Sequence, residues 1–137
     1  MNNHRLIKAG SYGAIFACLG LLSGCLIVDD DDPDVGTLTV EWTIDGLRDP
    51  ADCVGFDVDR LELSLYVGGD QLIDEVEPPC EAFGVTIDLV EGRYSADATL
   101  IDRFGGTAST TETLQAVDIV AGTDLVINVD FPIDSIL

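Results

Sequence analysis

The stretch "LTVEWTI", Leu38 to Ile44, places an apolar side chain at every second residue: Leu38, Val40, Trp42 and Ile44, with Thr39, Glu41 and Thr43 between them. Successive side chains of an extended chain point to opposite faces. The alternation therefore specifies a strand with one buried and one wet face, and it cannot serve as a helical stripe. "RLELSLYV" repeats it with Leu61, Leu63, Leu65 and Val67 inward, and "LVINVDF" repeats it with Leu125, Ile127, Val129 and Phe131 inward. "FGVTIDLVEGRYSADATLI" supplies two more strands, through Val85, Ile87 and Leu89 and then Tyr94, Ala96, Ala98 and Leu100, with "EGR" as the tight turn between them. Val54, Phe56 and Val58 run in the opposite phase to Leu61, and a bulge or bend near Asp59 reconciles them. "GGD" at Gly68 to Asp70 is a turn before a short strand "QLIDEV", and "EPPC" breaks the pattern because proline cannot donate to a ladder. Thr107 to Val120 is a long threonine-rich β segment, broken near Leu114 to Ala116. About seven strands and no amphipathic helix predict an all-β domain over residues 37–137. The expected form is an antiparallel two-sheet sandwich, with a small closed barrel as the alternative.

Upstream of the strands the chain changes character. Met1 to Lys8 carries His4, Arg5 and Lys8, and Ala9 to Val28 carries no charge. A basic start, an apolar run and small residues form the pattern of a secretory signal. An uncharged run of this length also suits an uncleaved spanning helix, but Gly10, Ser11, Gly13, Gly20, Ser23 and Gly24 weaken it as one. "LSGC", Leu22 to Cys25, resembles the lipobox of bacterial lipoproteins. The resemblance implies removal of residues 1–24, with cleavage between Gly24 and Cys25. It also implies a diacylglycerol on the Cys25 thiol and attachment to a membrane through that lipid. Leu26 follows the cysteine where inner-membrane retention would favour aspartate, so the resemblance implies the outer membrane of the cell envelope, facing either the periplasm or the cell surface. Acyl chains hold such a protein firmly, because each buried methylene contributes about 0.8 kcal/mol.

Asp29, Asp30, Asp31, Asp32 and Asp34 with Pro33 cannot bury a core and repel one another, so residues 25–36 are expected to be a solvated acidic tether. All 26 Asp and Glu follow Cys25, against four arginines, so the mature chain carries a net −22. Such a surface disfavours nucleic acid and anionic lipid. Cys53 and Cys80 are the two cysteines after Cys25, and in an exported domain they are expected to form one disulfide. A reactive or metal-binding pair would need electropositive or histidine neighbours, whereas Asp52, Glu77 and Glu81 have the wrong sign.

A second resemblance lies in "VEGRYSADATLIDRFGG", Val90 to Gly106. Its Gly92, Tyr94, Asp102 and Gly105 look like the hairpin region of transthyretin-like and immunoglobulin-like bacterial modules. The layout of a tryptophan strand first, a cysteine either side of the second hairpin and a "VDFP" close is similar to bacterial lipoproteins that carry such a sandwich. It implies the fold and no activity.

Chemistry is limited by the residue inventory. The mature chain has no histidine, lysine or methionine, which removes the common general base, the Schiff-base nucleophile and the usual transition-metal ligand. No catalytic residues are assigned, no cofactor is expected, and the protein is read as a non-enzyme. Calcium is the sharper alternative, since it takes oxygen ligands alone. Asp30, Asp32, Asp34 and Glu41 imitate an EF-hand loop, although Gly36 comes one position late and Glu41 sits in a strand. Asp45, Asp49 and Asp52 offer a second acidic loop. Trp42, Tyr66 and Tyr94 would stack on sugars if exposed together, but the phase of Trp42 puts it in the core. The function expected is a membrane-anchored structural or interaction module with a protein or glycan partner, and the alternative is a calcium- or carbohydrate-binding module.

Overall fold

The computed structural model describes residues 34–137. Seven strands form two sheets: β1 (Val35–Ile44), β2 (Val58–Val67), β3 (Gln71–Val76), β4 (Gly84–Val90), β5 (Gly92–Asp102), β6 (Glu112–Ile119) and β7 (Asp124–Phe131). One sheet has the order β4-β1-β7 and the other β3-β2-β5-β6. The expected sandwich is present, with β1 lying between β4 and β7 in the three-stranded sheet.

The alternation produces the core as expected. Leu38, Val40, Trp42 and Ile44 of β1 are buried against Leu61, Leu63 and Leu65 of β2, Ala96, Ala98 and Leu100 of β5, and Phe131 of β7. The Trp42 indole N–H, which would otherwise be a buried orphan donor, donates to the Cys80 carbonyl at 3.2 Å. The bend near Asp59 is a bulge, because the β2–β5 register shifts between Val58 and Arg60. The break near Leu114 to Ala116 is also real. The β5–β6 register shifts there, and Ala116 takes φ +57°.

Four expectations need correction. The pairing is not wholly antiparallel, since β1 and β7 run parallel from Thr37 opposite Asp124 to Ile44 opposite Phe131. The intervening chain passes through the other sheet, which provides the crossover that parallel neighbours require. One short helix exists, α1 (Pro50–Gly55), so Val54 is helical rather than extended. The threonine-rich segment is a strand only from Glu112, and residues 107–111 make isolated bridges instead. The first strand also begins at Val35, two residues before the expected domain start. Gly36 is buried there, and a Cβ on it would collide with the Val120 carbonyl oxygen. Its place in the sequence reflects this close approach of the β6–β7 turn.

The registers define two ends of the sandwich. Val35, Val90 and Ile119 lie at the end near Asp34, with the β2–β3, β4–β5 and β6–β7 turns. Ile44, Val58, Asp102 and Phe131 lie at the other end, with α1 and the longer connections.

Candidate functional site

The end away from Asp34 carries the three most exposed large apolar side chains among the described residues: Phe104 at 84%, Val54 at 82% and Leu137 at 76%. Two locally rigid pieces of chain present the first two.

The first piece is α1. Asp49 caps it, its side chain accepting the Ala51 N–H at 2.9 Å, and Pro50 occupies the first turn with its φ already set. Six residues are too few for a helix to persist alone. The Cys53–Cys80 disulfide fastens it, with both cysteines buried and their Cα atoms 6.0 Å apart. Cys80 is itself tied to the core through Trp42. The expected disulfide is therefore formed, and it orients Val54 outward.

The second piece is the turn Asp102 to Gly106. One carboxylate oxygen of Asp102 accepts the Phe104 N–H at 2.7 Å and the Gly106 N–H at 3.0 Å. The main chain closes as well, from Asp102 N–H to the Gly106 carbonyl at 2.8 Å. The Gly106 amide, followed by that of Phe104, holds the Asp102 carboxyl below the ordinary carboxylate range by binding its charged form. The Phe104 ring is thus carried on a turn whose polar groups are satisfied from within.

Arg103 joins the two pieces. It pairs with Asp57 at 3.1 Å, and its guanidinium carbon lies 5.2 Å from the Phe104 ring centroid. Beside it a cleft of about 360 Å³ is lined by Cys53, Val54, Asp57, Val58, Asp59 and Arg103. The lining combines the apolar Cys53, Val54 and Val58 with the charged Asp57, Asp59 and Arg103. Residues 34–137 hold 22 acids and four arginines. Each arginine is already paired: Arg48 with Glu41, Arg60 with Asp59 and Glu77, Arg93 with Asp118, and Arg103 with Asp57. Hydrogen bonds to Glu77 and then Asp59 raise the Arg60 pKa further, and Asp118 does the same for Arg93.

Of the residues singled out for calcium, Asp34 and Glu41 are not brought together. Asp34 and Glu41 stand seven residues apart along extended chain, a span of about 23 Å at roughly 3.3 Å per residue. Glu41 is held by Arg48 at 2.7 Å. Asp30, Asp32, Gly24 and Cys25 lie outside the described residues. Asp49 is occupied as the helix cap, and Asp52 sits in the first turn of α1. A carboxylate group not anticipated from sequence is Glu62, Glu75 and Glu77, whose oxygens lie within 4.8 Å of one another on β2, β3 and the segment after it. Ser64 donates to Glu75 at 3.1 Å, and Arg60 donates to Glu77 at 3.0 Å.

Trp42 is fully buried, as expected, and cannot stack on a sugar. Tyr94 is half-buried, its hydroxyl donating to the Val90 carbonyl at 2.6 Å. It lines a second cleft of about 450 Å³ with Gly68, Gly69, Arg93, Ser95, Gln115 and Ala116, at the end near Asp34.

No protein-family model matches the sequence, and no curated protein matches it. Among solved structures the chain is similar to a leucine-rich repeat protein from Bacteroides thetaiotaomicron, at 10% identity and a TM-score of 0.47 over 72% of this chain. The chain spans 12% of that protein's length.

Proposed function

We propose that the protein is an envelope lipoprotein that acts as a non-enzymatic interaction module, held to the outer membrane through a diacylglycerol on Cys25 after cleavage behind Gly24. The acidic tether spaces a preorganised sandwich from the bilayer, and recognition takes place at the end opposite the tether. The observation that carries this reading is the placement of the exposed apolar residues. Val54 and Phe104 stand on a stapled helix and a self-satisfied turn at the end remote from Asp34. Exposed apolar groups on rigid, acid-rimmed supports are what a docking surface needs, since little entropy is then lost on binding. The lipobox resemblance of "LSGC" supports the anchor.

The test has two parts. Intact mass of the protein from membranes should show an acylated Cys25 at the N-terminus, and Cys25→Ser should leave the protein unprocessed and unlipidated. Protease shaving of intact cells, with a periplasmic control, then separates the two faces of the outer membrane. An unacylated mature chain would sink the anchor.

A further inference from the structure

We infer that the cleft between α1 and the Asp102–Gly106 turn, with Phe104 beside it, docks a polypeptide segment in which an apolar side chain is flanked by lysine or arginine. This rests on the interaction-module reading and names the chemistry of its partner.

Three features on the surface select that occupant. The apolar part of the lining is Cys53, Val54 and Val58, which an apolar side chain can contact. At about 360 Å³ the space is at the small end of ligand pockets, which suits a side chain better than a large cofactor. The surroundings are anionic, with Asp57 and Asp59 on the rim and Asp45, Asp49 and Asp52 on the neighbouring chain. All four arginines among the described residues already have carboxylate partners. Asp57 and Asp59 are themselves paired with Arg103 and Arg60. The attraction for a lysine or arginine therefore comes from the general excess of 22 acids over four arginines, and an approaching anion meets no free cation among the described residues. The same charge disfavours the other occupants. A second copy would bring 22 acids against 22, and an anionic bilayer would be repelled.

Preorganisation supplies the rest. The amide bonds from Phe104 and Gly106 to Asp102 hold the backbone that carries the Phe104 ring, and the Cys53–Cys80 bridge holds the backbone that carries Val54. Aromatic side chains so placed are the usual anchors of interfaces.

The experiment uses the mature lipoprotein in mild detergent and a fluorescein-labelled peptide with a Leu-Trp-Leu centre flanked by lysines, read by anisotropy. Binding is expected, and it should weaken as salt rises from about 50 to 500 mM. Replacing the centre by serines, or the lysines by glutamates, should abolish it. Val54→Asp and Phe104→Asp change side chains that are 82% and 84% exposed, so the fold stays intact. Each should weaken binding by about tenfold or more, the effect of losing one apolar anchor. Val120→Asp, at the tether end, should leave binding unchanged. No binding by the unaltered protein, or equal binding by the Val54 and Phe104 variants, overturns the inference, the latter because the attraction is then diffuse. A dimer in sedimentation that Phe104→Asp dissolves also overturns it, because a second copy is then the occupant. Intact mass of the same preparation reports the Cys25 anchor independently, so failure of the docking site and failure of the envelope reading are distinguishable.

Discussion

Reducing the Cys53–Cys80 bridge should cost the domain a large share of its stability and release α1. The bridge closes a loop with a sequence separation of 27. In the chain-entropy account, such a closure removes enough freedom from the unfolded chain to stabilise the fold by about 3.5 kcal/mol. A domain of this size commonly has about 5–15 kcal/mol in all. Both sulfurs are buried, so the reductant must be present during unfolding and refolding rather than added to the native protein. Urea titrations of oxidised and reduced protein, followed by tryptophan fluorescence from Trp42, should show the midpoint falling by about 2–3 M with a similar slope. The local consequence is separable. A six-residue helix freed from its staple frays, which exposes the bond after Arg48 to trypsin in the reduced protein under conditions that leave the strands intact. Midpoints within about 0.5 M of each other would refute the reasoning. They would mean that the unfolded chain is already constrained between residues 53 and 80.

Gly36→Ala should destabilise the domain by about 2–4 kcal/mol in urea titrations, because a Cβ there displaces the β6–β7 turn and strains its bonds to β1. Asp102 has its folded pKa depressed, so its contribution is present above the ordinary carboxylate range and is lost as pH falls through the folded value. The gap between wild type and Asp102→Asn should therefore be constant near neutrality and close in melts as pH falls below the ordinary carboxylate range. With 22 acids against four arginines, raising salt at pH 7 should raise the melting temperature, and a fall would show that the five ion-pair contacts outweigh the general repulsion.

What was legible in the chain was whatever depends on period alone. The alternation of Leu38 to Ile44 and Leu61 to Val67 specified strands and the face they bury, and the phase conflict around Asp59 correctly marked a bulge. Direction was not legible. Alternation reads the same whether a neighbour runs up or down, so nothing in "LVINVDF" announces that β7 lies parallel to β1. The helix was missed although a signal was present. Asp49 followed by Pro50 is a cap and a first-turn proline, but the apolar spacing of Val54, Phe56 and Val58 suggested a strand instead. The turn at Asp102 had its glycines in plain view, yet the exposure of Phe104 follows from which amides the aspartate accepts, and composition does not carry that. Gly36 was weighed against a calcium-loop position, whereas its role is to let Val120 approach.

The distribution of polar groups explains why recognition should concentrate at one end. On the outer face of the β4-β1-β7 sheet, Thr39 pairs with Thr86 at 3.0 Å, Thr37 donates to Asp124 at 2.8 Å, and Thr43 donates to Asp130. On the other sheet Thr113 donates to Asp97 at 2.8 Å, and Thr99 meets Thr111 at 2.7 Å. Hydroxyls placed directly opposite carboxylates satisfy one another across the strands, and a ligand must break such a pair before it can form its own. At the end with α1, the corresponding aspartates cap a helix and close a turn, and the side chains left unpaired are Val54 and Phe104. Single substitutions on the threonine faces should therefore leave binding of the lysine-flanked peptide unchanged, while those two positions control it.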